Sequence, residues 1–162
     1  MRTLMLLRHA RPEDSRPGYP DDARRLTPAG EQQAAELGDY LRREHVQPDL
    51  VLCSSATRAR QTVEALALTA PVEVTDRLYE AGGDEILALL RDLDDHIENL
   101  LVVGHSPALP AMAQELTDPD TSDPEAVATL ERQFPAGALA TLSVDGSWSE
   151  LDRASLLSIR LP

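Results

Sequence analysis

Leu4-Met5-Leu6-Leu7 runs without a polar break into Arg8 and His9. An apolar run of strand length that lacks alternation must be covered on both faces, which is the signature of a parallel strand held between helices. Two further runs share the form: Leu50-Val51-Leu52-Cys53 ends at Ser54 and Ser55, and Leu100-Leu101-Val102-Val103 ends at Gly104 and His105. In open α/β sheets, ligands bind outside the carboxyl ends of the strands. Arg8, His9 and His105 therefore stand where chemistry is expected, although an Arg-His pair on its own would only open a polar loop.

The segments between these runs read as covering helices. Thr27 is an N-cap and Pro28 a first helical residue, with Ala34, Leu37, Tyr40 and Leu41 setting an apolar face to about Arg43. A second helix is expected from about Ala56 to Leu68, with Arg58 in its first turn. A third is capped by Asp84, a fourth starts at Pro107, and a fifth runs from Pro124 to about Arg132. Val72 to Val74 is a weaker strand. Residues 11–25, with Pro12, Pro17, Gly18 and Pro20, form a long loop without regular structure. Ala138 to Val144 and Ser155 to Leu161 alternate and are joined through Asp145-Gly146 and Trp148, as in an antiparallel hairpin. The expectation is one domain, residues 1–162: a three-layer α/β/α sandwich with a mostly parallel central sheet and a C-terminal antiparallel hairpin.

Charge narrows the partners. The net charge is −13, which disfavours nonspecific binding to nucleic acid or anionic membrane. Its distribution is uneven: residues 1–60 carry ten arginines and a net +1, and residues 61–162 carry a net −14. Any anion handled here meets the cations of the first third. All 15 basic residues are arginine, whose planar fork grips phosphate through two oxygens. No export signal or membrane-length apolar stretch is visible, and the single cysteine, Cys53, reads as a small buried hydrophobe, so a cytoplasmic location is expected.

Convergence of the strand ends would gather Arg8, His9, Arg58 and His105. Two histidines beside two guanidinium groups make a poor metal site, because the arginines repel a divalent cation and no carboxylate or further cysteine joins the histidines. The group they suit is a phosphoryl group.

Leu7-Arg8-His9-Ala10, Ser54-Ser55-Ala56-Thr57-Arg58-Ala59-Arg60-Gln61-Thr62 and Val102-Val103-Gly104-His105-Ser106 together resemble the signature elements of the histidine phosphatase superfamily, the phosphoglycerate-mutase-like enzymes. Arg24-Arg25-Leu26-Thr27-Pro28-Ala29-Gly30 is similar to the Arg-x-Leu-Thr-x-x-Gly element of the short bacterial SixA-type phosphohistidine phosphatases. Ala10 stands where the family carries glycine.

The resemblance implies that His9 is the nucleophile and that Arg8, Arg58 and His105 hold the equatorial oxygens. It also implies that no metal or cofactor takes part. Glu80 falls where many members place a catalytic glutamate, as the expected proton donor, with Glu13, Asp14, Asp21 and Asp22 as rivals. Arg24 is a further phosphate contact or a structural ion pair. Only 46 residues separate Arg58 from His105, too few for a large lid domain. An open site suits phosphohistidine on a protein, for instance a histidine-phosphotransfer protein, with Arg16, Arg24 and Arg25 as partner contacts. The alternatives are a phosphatase or mutase acting on a small metabolite, and a non-catalytic module that binds phosphorylated partners. Arg60, His45 and His96 read as surface residues.

Overall fold

The computed structural model describes all 162 residues. Six strands, β1 (Arg2–Arg8), β2 (Leu50–Ser54), β3 (Val72–Thr75), β4 (Asn99–Gly104), β5 (Leu139–Val144) and β6 (Ser155–Arg160), form one sheet in the order β3-β2-β4-β1-β5-β6. Strands β3, β2, β4 and β1 pair in parallel, while β5 runs antiparallel to both β1 and β6. Five helices cover it: α1 (Pro28–Arg43), α2 (Thr57–Leu66), α3 (Gly83–Arg91), α4 (Ala108–Leu116) and α5 (Pro124–Arg132).

The unbroken apolar runs divide between two cores because successive side chains of a strand point to opposite faces. Leu4, Leu6, Leu52, Leu100 and Val102 meet α3, α4 and α5 through Ile86, Leu90, Leu109, Met112 and Leu130. Met5, Leu7, Val51, Cys53, Leu101 and Val103 meet α1 and α2 through Leu37, Leu41, Ala59 and Leu66. Each fully buried leucine stabilises the sheet by about 1.5–3 kcal/mol relative to exposure. Cys53 is packed in the second core as a small apolar side chain, and burial pushes its thiol up to about 12.

Helix α1 begins as its sequence dictates. The Thr27 hydroxyl accepts from Gly30 N–H at 3.0 Å, and Pro28 occupies the first turn. Gly30 has a steric reason as well: a Cβ there would lie 2.2 Å from the Arg11 carbonyl oxygen. The start of α1 is thus clamped onto the segment that leaves β1.

Three local readings differ, at the start of α3, within the loop after β1 and at the end of α2. Helix α3 is entered through Gly82 in an extended conformation, with Glu85 reaching back to the Gly82 N–H, so Asp84 lies inside the first turn instead of capping it. Pro20 introduces a short 3-10 turn, Asp21–Ala23, within the loop expected to be irregular. The link between β5 and β6 runs through Asp145-Gly146 and Trp148 as expected, and Trp148 dips into the core and donates its indole N–H to Ile97 O at 2.7 Å. Helix α2 stops at Leu66, two residues early, where Ala67 turns to φ 51°.

Strands β1 and β4 are neighbours, yet the chain leaves β1 for α1 on one face of the sheet and leaves β4 for α4 on the other. A crevice opens at such a switch point.

Candidate active site

Register does the first part of the assembly. Arg8 pairs with Gly104 across β1 and β4, and Cys53 with Val103 across β2 and β4. The next residues along each strand, His9, His105 and Ser54, must therefore emerge together at one edge. His9 N–H continues the ladder to Gly104 O at 3.0 Å, and the two imidazoles come to rest with ring centroids 5.1 Å apart.

His9 is 5% exposed. Its Nδ1 lies 2.8 Å from Ala10 O, and a carbonyl only accepts, so Nδ1 carries the hydrogen and Nε2 keeps its lone pair. Burial, opposed by the hydrogen bond to Ala10 O and reinforced by His105, Arg58 and Arg8, lowers its pKa from the ordinary 6.5 to about 3. The result is a neutral imidazole whose unprotonated Nε2 accepts from Arg58 Nε at 3.4 Å. Ala10 fits without a left-handed backbone: positive φ is confined to other residues, and its methyl packs with Leu26 and Ala34.

The second motif is legible residue by residue. Ser54 Oγ is hydrogen-bonded to His105 Nε2 at 2.7 Å and accepts from Ala56 N–H. Arg58, 6% exposed, sits in the first turn of α2, where the helix N-terminus adds its own partial positive charge. Gln61 Oε1 accepts from Leu26 N–H at 2.8 Å, tying α2 to the chain entering α1. Thr62 Oγ1 donates to Arg58 O and accepts from Ala10 N–H at 3.0 Å. One hydroxyl thus links the Arg58 turn to the His9 loop, which accounts for the four-residue spacing.

Arg8 donates through Nη1 to Phe134 O at 2.9 Å, while its buried Nε has no partner. Desolvation and the neighbouring Arg58 lower its pKa. Gly137, at φ 87°, sends its N–H to Arg8 O and His9 O and so braces the end of β1. His105 Nδ1 is likewise buried without a partner, and burial together with Arg58 lowers the His105 pKa to about 4. Both orphaned atoms belong to this cluster and are free for a ligand.

Tyr79, which had no assigned place, and Asp21, one of the rival proton donors, complete the mouth. Tyr79 stands edge-on to His105, with ring centroids 5.7 Å apart, and donates its hydroxyl to Asp21 Oδ2 at 2.5 Å. Asp21 also accepts from Arg58 Nη2 at 3.1 Å and from Arg24 Nε at 3.0 Å, and its carbonyl accepts from Arg58 Nη1 at 2.8 Å. The Tyr79 hydroxyl first, then Arg58 and Arg24, hold the Asp21 carboxyl down at about 2 against desolvation. The i, i+3 spacing of Asp21 and Arg24 hinted at their ion pair; nothing in the sequence marked Tyr79.

Arg24 reaches the site through Asp21 and also donates to Glu13 O at 2.8 Å. Glu80 is exposed and forms no hydrogen bond or ion pair, so it is not joined to Arg8, His9, Arg58 and His105. Arg16 stacks on Tyr19, 4.0 Å from the ring centroid, and Arg25 is exposed. Arg60, His45 and His96 lie at the surface. The clefts of about 460 and 450 Å³ lie elsewhere and contain none of the four site residues. No helix is long and apolar enough to cross a membrane.

Comparison with known proteins places this geometry in context. Residues 4–89 match the model of the histidine phosphatase superfamily (branch 1). An uncharacterized protein of Mycobacterium leprae (strain TN) is 35% identical over 162 residues, covering 96% of this chain and 99% of the relative. Among solved structures, one from Nakamurella multipartitia named as a phosphohistidine phosphatase SixA is 38% identical with a TM-score of 0.89, covering 99% of this chain and 96% of that one. Another, from Agrobacterium tumefaciens and named likewise, is 28% identical with a TM-score of 0.83, covering 99% of both chains.

Proposed function

The chain belongs to the histidine phosphatase superfamily (branch 1) and is a phosphatase; from that premise we propose that it hydrolyses phosphohistidine on a protein, through a phosphohistidine formed on its own His9. The observation that carries the reading is the state of His9: Nδ1–H is committed to Ala10 O, and the unprotonated Nε2 faces the guanidinium of Arg58. A neutral imidazole with a fixed tautomer is an activated nucleophile.

In the proposed reaction the Nε2 lone pair attacks phosphorus, the N–P bond forms, and the bond to the substrate's leaving nitrogen breaks with its electron pair going to that nitrogen. Arg8, Arg58 and His105 hold the three equatorial oxygens, whose charge needs fixed donors as the phosphoryl group transfers. The unpartnered Arg8 Nε and His105 Nδ1 are free to serve as such donors. Water then attacks the phosphoenzyme, and the electron pair returns to His9.

The substrate class rests on where the clefts lie and on the relatives. A small metabolite is recognised by enclosure, and the larger clefts of this molecule lie away from His9. The two structures described above carry phosphohistidine phosphatase names, whereas a structure from Escherichia coli named as an α-ribazole-5'-phosphate phosphatase is 20% identical and shares the fold alone. The deciding measurement is kcat/KM on a phosphorylated histidine-phosphotransfer domain against phosphoglycerates and sugar phosphates, with labelled phosphate trapped on the enzyme. Preference for the protein and label on wild type but not on His9→Ala is the expected result. A clear preference for a small phosphoester would overturn the substrate, and label retained by His9→Ala would overturn the nucleophile.

A further inference from the structure

The side-on edge of a guanidinium, Nε with Nη2, is the edge that grips phosphate through two oxygens. In Arg58 one end of that edge, Nε, faces His9 Nε2 at 3.4 Å, and the other end, Nη2, holds Asp21 Oδ2 at 3.1 Å. A phosphoryl group seated on this edge lies between the attacking nitrogen and the Asp21 carboxylate. That is where a leaving group departs in an in-line displacement.

We propose, building on the phosphohydrolase reading, that Asp21 is the proton donor to the leaving group and the proton acceptor from the attacking water, and that Tyr79 is its positioning residue. The carboxylate is exchangeable while its backbone is not. Phosphate binding takes Nη2 away from Oδ2, but Nη1 keeps its 2.8 Å bond to Asp21 O, so the side chain stays at the mouth. Tyr79 holds Oδ2 from the β3 side and Arg24 holds Oδ1 from the loop, so the carboxylate has two tethers besides Arg58.

The charges around Asp21 give the switch its direction. In the free protein it faces Arg58 from α2, Arg24 from its own loop and the Tyr79 hydroxyl from the turn after β3, with Asp22 adjacent and His105 and Arg8 deeper in the site; the cations keep it ionised. A bound phosphoryl dianion takes over Arg58 and sets a negative charge beside the carboxylate, and like charge raises a carboxyl pKa. Asp21 then takes up one proton from solvent.

In the first step His9 Nε2 bonds to phosphorus, the bond to the leaving atom breaks, and that atom's new electron pair receives the Asp21 proton. In the second step the Asp21 carboxylate takes a proton from water as its oxygen bonds to phosphorus, and the N–P bond breaks with its electron pair returning to His9. Glu80, exposed and unpartnered, has no corresponding connection to Arg58.

The test is the dependence of kcat/KM on leaving-group pKa along aryl phosphates from dinitrophenyl to phenyl, for wild type, Asp21→Asn, Tyr79→Phe and Glu80→Gln. General acid catalysis is worth about 100- to 10,000-fold where the leaving group needs a proton and little where it does not. Asp21→Asn is therefore expected to lose about 100-fold or more on phenyl phosphate and far less on dinitrophenyl phosphate. Tyr79→Phe, which removes a donor that stabilises the carboxylate, should move the alkaline limb of kcat to higher pH. An equal loss on every ester, a gain on every ester, or a steepened dependence in Glu80→Gln alone would overturn the proposal. Failure of this proposal with label still trapped on His9 would leave the phosphohydrolase reading standing; absence of turnover and label in wild type would overturn both.

Discussion

His9 and His105 face each other across the seam of β1 and β4 with their ring centroids 5.1 Å apart, one anchored through Nδ1 to a carbonyl and the other through Nε2 to a hydroxyl. The opposite anchoring turns opposite atoms inward: His9 Nε2, which accepts from Arg58 Nε, and His105 Nδ1, which has no partner. Two chemically identical side chains are thereby prepared for different tasks.

The asymmetry predicts unequal substitutions. His9→Ala removes the proposed nucleophile and should abolish turnover, whereas His105→Ala and Arg58→Ala each remove a proposed charge-stabilising donor, whose loss typically costs about 100- to 1000-fold. Steady-state rates with p-nitrophenyl phosphate and trapping of labelled phosphate check both; undiminished turnover in His9→Ala would refute the assignment.

Ser54 Oγ touches the catalytic cluster at His105, its other bond being to Ala56 N–H at the start of α2. A hydrogen bond contributes about 0.5–1.5 kcal/mol net, or roughly 2- to 10-fold in rate, so Ser54→Ala should lower kcat/KM by that amount. Combining it with His105→Ala should add nothing further. A double-mutant cycle that finds the two effects additive would contradict the contact as the route.

Acid should act on activity and stability through the same two imidazoles. His9 and His105 are held at about 3 and 4, so both stay neutral at mildly acidic pH, and the acid limb of kcat/KM for free enzyme should fall below the ordinary histidine value of 6.5. The unfolded chain binds protons at these residues from about 6.5 downward while the folded chain does not, so stability decreases as pH falls through that interval. Asp21, depressed from 3.8 to about 2, adds stability present above 3.8 and lost as pH falls through 2. Thermal unfolding followed against pH should show a smaller acid-induced drop in Tm for His9→Ala than for wild type; equal drops would mean that His9 is not the group that resists protonation.

Gly30→Ala should unfold more easily and work more slowly. Its new Cβ would lie 2.2 Å from the Arg11 carbonyl oxygen, backbone that has no rotamer to retreat into, and overpacking of this kind costs about 1–3 kcal/mol. Because Arg11 continues the chain from His9 and Ala10, the same displacement reaches the site. Denaturant unfolding and kcat/KM measured together test the coupling, and a stable variant with normal kinetics would show that the clamp is not needed.

The sequence by itself determined the layers, the order of the elements and the three strand ends that carry Arg8, His9, Ser54 and His105. Periodicity is a local property: an apolar run without alternation needs cover on both faces wherever it lies, and Thr27, Pro28 and Pro124 act on the residues beside them. The entry into α3 escaped this reading because Gly82 caps through an extended backbone, with no side chain to announce it. The tertiary structure decided what local pattern does not encode. The strand order β2-β4-β1 put His105 between the other two strand ends. Only that packing could bring Asp21 and Tyr79, 58 residues apart, within 2.5 Å of each other. It also left Glu80 in solvent one residue after Tyr79, because neighbouring residues in a turn point in different directions, and their directions are set by what the fold places around them.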